Sequence, residues 1–225
     1  MEIINNIDKT LKDDMISTIM EGSRLSIAAS CFSIYAFQEL KEQLSDISEL
    51  RFIFTSPSFI TEKADKQQRE FYIPRLNRER DLYGSEFEIK LRNELSLKAV
   101  AKECSEWIRR KVCFKSNRTD AGIPPMIVCD DFSYTGTNGF TCVELGTERG
   151  NNLATAITKM ETPYSQQFLQ IFNQIWNNSE KLQVVTEQVL DNITNAYKEN
   201  APEFIYFVTL YNIFSEFLED ISGDV

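Results

Sequence analysis

Two rhythms of apolar and polar positions alternate along this chain. Residues 25–32, LSIAASCF, and 50–54, LRFIF, are short and nearly continuous apolar runs. Such runs suit strands buried on both faces of a parallel sheet. Between them Ile34, Phe37, Leu40 and Leu44 recur at helical spacing, and the Ser33 hydroxyl stands where it can cap that helix. Strand, helix and strand at this spacing make a βαβ unit, which sets the fold class as α/β.

The same pattern predicts a helix over 12–20, stopped by Gly22. It predicts another, capped by Ser96, with Leu97, Val100, Ala101, Cys104, Trp107 and Ile108 on one face. Strands are expected at 112–114, 126–129 and 139–145, with polar turns at 117–125 and 130–138. Beyond 154 the spacing turns helical. One helix follows Thr162 and Pro163, a second spans 179–198, and a strongly aromatic third spans 202–218. The organisation read from this is an α/β domain at 1–155, on a mostly parallel sheet flanked by helices, and a helical region at 156–225. Residues 61–91 are dense in charge and read as extended loop and short helix.

Composition narrows the choice. The chain has 225 residues, 42% hydrophobic and 26% charged, which can bury a sizeable core. No apolar run approaches the roughly 20 residues of a membrane span, and residues 1–14 lack a leader's apolar centre. Neither a membrane partner nor a secretory signal is therefore expected. The five cysteines form no CxxC and read as reduced packing thiols in a cytoplasm. The net charge of −10 opposes broad binding of nucleic acid. Residues 179–225 are the most acidic stretch, with nine acids against two lysines. The chain has no histidine, which excludes Ser-His-Asp and Cys-His chemistry and every histidine-ligated metal.

Four places carry candidate chemistry. Glu86-Phe87-Glu88-Ile89-Lys90 contains an E-x-K, and with Asp81 upstream it could chelate Mg²⁺ through Glu88 while Lys90 steadies an attacking water. The competing reading is a solvated amphipathic segment. Arginines 69, 75, 78 and 80 alternate with tyrosines in a way that could track phosphates and bases, but acids interleave with them as an internal ion network would require. Arg109, Arg110, Lys111, Lys115 and Arg118 form the least diluted basic cluster and the first place to look for DNA. Its alternative is charge complementarity at a helix C-terminus. Cys31 ends the first strand, where α/β sheets place ligands, but no histidine stands by to make its thiolate. No GxxxxGK[ST] is present, so this chain carries no Walker-type nucleotide site.

Residues 136–141, Gly-Thr-Asn-Gly-Phe-Thr, resemble the GSSNFT segment of phospholipase D-like domains, and the opening βαβ is similar to the start of such domains. The family motif is His-x-Lys, four residues, Asp, then Gly-Ser-x-Asn; its histidine attacks phosphorus and its lysine holds the phosphate. On this chain the Asp falls at Asp130, the Lys at Pro125 and the His at Ile123. Gly136 keeps the first glycine, and Gly139, after Asn138, stands where the motif has Asn. The resemblance thus implies a degenerate domain without its nucleophile.

The whole chain, including LRFIFTSPSFI and EFIYFVTLYNIFSEFLEDI, resembles the N-terminal region of large bacterial superfamily-two, Swi/Snf-type, DNA-dependent ATPases. There a phospholipase D-like domain and a helical linker precede the helicase motor. The resemblance implies a non-catalytic accessory domain, without a cofactor of its own, that positions DNA or a partner for an ATP-hydrolysing motor in the same polypeptide. The alternatives are a metal-dependent nuclease using Asp81, Glu88 and Lys90, and a protein-interaction module, which a homodimer would favour.

Overall fold

The computed structural model describes residues 1–56, 86–119, 121–148 and 155–198, with side chains for all but 86–98 and 195–198. Strand β1 (Glu2–Ile4) leads to helix α1 (Leu11–Thr18), whose cap, Thr10, accepts from the Asp13 N–H. The βαβ unit follows as its pattern requires. Strands β2 (Arg24–Ala29) and β3 (Glu49–Phe54) pair in parallel, Ile27 opposite Phe52. Ser33 caps α2 (Ile34–Glu39) by accepting from Tyr35 N–H. The expected single helix breaks at Leu40 into α2 and α3 (Lys41–Asp46).

Helix α4 (Glu86–Lys111) is 26 residues long, about 39 Å at 1.5 Å per residue, and Ser96 lies inside it rather than at its cap. Strand β4 (Val112–Asn117) continues directly from it and pairs in parallel with β3. Strands β5 (Met126–Cys129) and β6 (Phe132–Thr135) form a hairpin whose turn holds Asp130 at φ 47°. An aspartate tolerates that left-handed conformation better than most residues. Residues 130–138 are thus more than a turn, and 139–145 are not a strand. Phe140 makes one isolated bridge to Phe32, and Cys142–Leu145 is a one-turn helix, α5.

Strand β7 (Ile157–Glu161), helix α6 (Tyr164–Trp176), strand β8 (Leu182–Val184) and helix α7 (Thr186–Lys198) follow. The helix expected over 179–198 begins as strand because β4 offers an open edge: Lys115 pairs Val184 and Asn117 pairs Leu182. The third expected helix, 202–218, lies outside the described residues.

The sheet runs β1-β7-β6-β5-β2-β3-β4-β8. Only β2–β3 and β3–β4 are parallel pairs, and the other five neighbours are antiparallel. The fold is α/β with a mixed sheet, not a mostly parallel one, because crossover helices serve only β2, β3 and β4. Strand β7 stands next to the edge strand β1 and β8 forms the other edge, so residues on both sides of 155 share one continuous sheet.

The two faces of the sheet differ. On the first, Leu25, Ile27, Phe52, Phe54, Phe114 and Ile127 meet α1, α2, α3, α4, α5 and α7 in a large core. On the second, Ala28, Ile53 and Met126 meet Phe172 of α6 and Leu182 in a small one.

Candidate functional site

The motif-like segment 136–141 is built onto the C-terminal end of β2. The Ser30 N–H and hydroxyl both donate to the Asn138 carbonyl, at 2.8 and 2.9 Å. Phe140 N–H donates to Cys31 O, and Ser33 N–H to Phe140 O, each at 2.9 Å. The Phe140 ring stacks on Phe32, which meets Phe52 and Phe114 edge-on. Two glycines permit this approach. At Gly136, φ 91°, a Cβ would stand 2.4 Å from Ala156 O; at Gly139 it would stand 2.8 Å from Cys31 Sγ. Thr141 caps α5 by accepting from Glu144 N–H, and Glu144 Oε1 accepts from Asn138 N–H.

The residues aligned to the family motif divide between two ends of the sheet. Pro125, half-buried, enters β5 beside Ala28, at the end where Asn138 meets Ser30. Ile123 packs in the small core with Phe168, Ile175 and Trp176. Asp130 sits at the opposite end, where its Oδ1 accepts from Arg24 N–H at 3.1 Å. It ties the β5–β6 turn to the start of β2.

The basic cluster disperses. Arg109 and Arg110 are exposed on the last turn of α4. Lys111 Nζ donates to Ser45 O and Ile47 O and so closes the end of α3. Lys115 Nζ donates to Trp176 O at 2.8 Å and lies 4.3 Å from the Trp176 ring. Arg118 lies just past the far end of β4, up to about 23 Å from Lys111 at 3.3 Å per residue.

Glu88 and Lys90 lie on α4, in the stretch whose side chains are outside the described residues. Asp81 and arginines 69, 75, 78 and 80 lie outside the described residues. Among the described residues no three metal-ligating side chains converge.

Three of the cysteines are buried: Cys104, Cys129 and Cys142. Burial pushes Cys104 well above the ordinary thiol range and Cys129 up to about 12, which keeps both as protonated packing thiols. Cys31 is half-buried beside Gly139.

Two charged clusters escape the sequence pattern. Asp14 of α1 is wholly buried; its Oδ2 takes an ion pair from Lys159 Nζ at 2.8 Å and a hydrogen bond from Tyr134 OH at 2.7 Å, and Lys9 pairs with Oδ1. Burial alone would raise the Asp14 carboxyl, but the bonds from Lys159, Lys9 and Tyr134 outweigh it and hold the group below its usual value. Burial likewise drives the Tyr134 phenol upward. On the other face, Arg51 donates to Asn173 Oδ1 and Ser26 Oγ, and its guanidinium lies over Phe172 and Trp176. Burial lowers its pKa. Arg51 and Lys115 together hold the negative end of the α6 dipole.

No family model matches this chain, and no curated protein matches it.

Proposed function

We propose that this chain is a non-catalytic accessory domain of the phospholipase D-like kind, which holds a partner for a superfamily-two DNA-dependent ATPase motor. One observation carries the reading. The glycine-dependent segment 136–141 packs tightly on the end of β2, while Ile123 and Pro125 stand at the aligned nucleophile and phosphate-binding positions. An isoleucine has no lone pair with which to attack phosphorus, and a proline has no donor with which to hold phosphate. The residues at these positions could not perform that family's chemistry, which supports an accessory role.

The test is turnover. The purified chain is assayed for nuclease and phosphodiesterase activity with and without Mg²⁺ or Mn²⁺, beside Glu88→Ala. No turnover on any substrate is the expected result. Metal-dependent cleavage that Glu88→Ala abolishes would overturn it in favour of a site at Asp81, Glu88 and Lys90.

DNA contact is the weaker part of the proposal. Its test is the salt dependence of binding in wild type against Arg109→Ala/Arg110→Ala. Lys111 is kept, because it closes α3. Equal, non-specific affinity in both would remove DNA and leave a protein partner.

A further inference from the structure

We propose that the outer stripe of α6 is the contact through which two copies of this chain associate about a two-fold axis. The inference does not depend on the accessory-domain reading. Helix α6, YSQQFLQIFNQIW, has no charged side chain, in a chain that is 26% charged. Its exposed positions Tyr164, Gln166, Gln167, Gln170, Ile171 and Gln174 fall on one side of the helix and form a broad stripe. Tyr164 is 58% exposed and Ile171 42%. A solvated helix on so acidic a protein ordinarily carries charge there, as α7 does at Glu187 and Asp191. Loss of charge with retained aromatic and aliphatic groups marks the centre of an interface.

Among the described residues, exposed apolar groups also stand on the same face at the two edge strands, β1 and β8. Ile3, 65% exposed, points to the α6 side, since its neighbour Ile4 is buried in the opposite core. Val184, 63% exposed, also faces that side, because it pairs with Lys115, whose ammonium reaches Trp176 O. A 13-residue helix alone is short of the roughly 800 Å² per partner of a standard interface; the flanking sheet supplies the remainder.

The chemistry selects a second copy over other occupants. Nucleic acid needs cations, and Arg51 and Lys115 beneath α6 already serve its own C-terminal end. Two chains of net charge −10 repel wherever carboxylates meet, so a neutral stripe is where they approach most closely. Each glutamine amide both donates and accepts, so it can meet its own copy without an unpaired group, as an isologous contact requires.

The test is the mass of the full chain in solution, by sedimentation velocity across micromolar concentrations. Wild type is expected to be a dimer, and Ile171→Lys to weaken it more than tenfold with unchanged melting. Gln170→Glu and Gln170→Lys are each expected to be monomeric alone and to associate when mixed. Ile16→Lys, exposed on α1, is expected to leave the dimer intact. A monomeric wild type overturns the proposal, and so does a dimer that survives both Ile171→Lys and Gln170→Glu. Neither result bears on turnover, so failure here leaves the accessory-domain reading standing.

Discussion

The two faces of the central sheet bury their apolar groups by different means. The first face carries six helices over a continuous aromatic and aliphatic core, with one buried ionic group, Asp14, held by two lysines and a tyrosine. Among the described residues the second carries α6 alone, whose Phe172 joins four other buried residues above two cations. Eight strands at about 4.8 Å spacing span on the order of 38 Å, and one helix about 10 Å across covers only part of that among the described residues. The first face is therefore a finished core, stabilised mainly by hydrophobic burial. The second depends on Arg51 and Lys115 to seat its described helix, whose outer stripe is neutral.

The comparison can be broken most forcefully at Asp14. Asp14→Ala leaves Lys159 buried without its partner and is expected to cost about 3–5 kcal/mol in urea unfolding. On the second face, Arg51→Ala removes two charge-assisted hydrogen bonds and is expected to cost about 2 kcal/mol. If the two losses were equal, the contrast between the faces would fail.

Acid sharpens the same contrast. The Asp14 carboxyl is depressed in the folded chain, so its stabilisation is complete above the unfolded value of about 3.9 and is lost as pH falls below it. The acid branch of stability against pH should flatten in Asp14→Asn and remain steep in Arg51→Ala. The smallest stability effect belongs to Ile171→Lys, within about 0.5 kcal/mol by thermal melting, although it is the variant that should dissolve the dimer.

The βαβ core was legible because burial on both faces leaves a nearly continuous apolar run, as in residues 25–29 and 50–54, and because Ser33 is a cap that functions as one. Strand β6 was hidden by its own alternation: Phe132 and Tyr134 face the large core, while Ser133 and Thr135 give it the composition of a turn. Helix α5 carried a readable signal, Thr141 three residues before Glu144, which an apolar stretch masked. The ionic cluster was illegible, because Asp14, Tyr134 and Lys159 meet only when α1 lies across β6 and β7. The spread of the basic cluster was not legible either: Arg109, Arg110 and Lys111 end α4, while Lys115 lies along β4 and Arg118 beyond it. In the candidate site, Gly136 and Asn138 were found by resemblance, but their tie to Ser30 and Cys31 was not visible in the chain.

Strand β1 also has a meaning in time. Its partner, β7, lies at Ile157–Glu161, near the other end of the described chain, while β2 and β3 find each other within 31 residues, Arg24 to Phe54. During synthesis β1 therefore waits for a partner made long after it. Until they pair, the outer backbone of β7 stays open to any passing strand. The three residues of β1 thus act as the latch on that side of the sheet, closing only once β7 has been made.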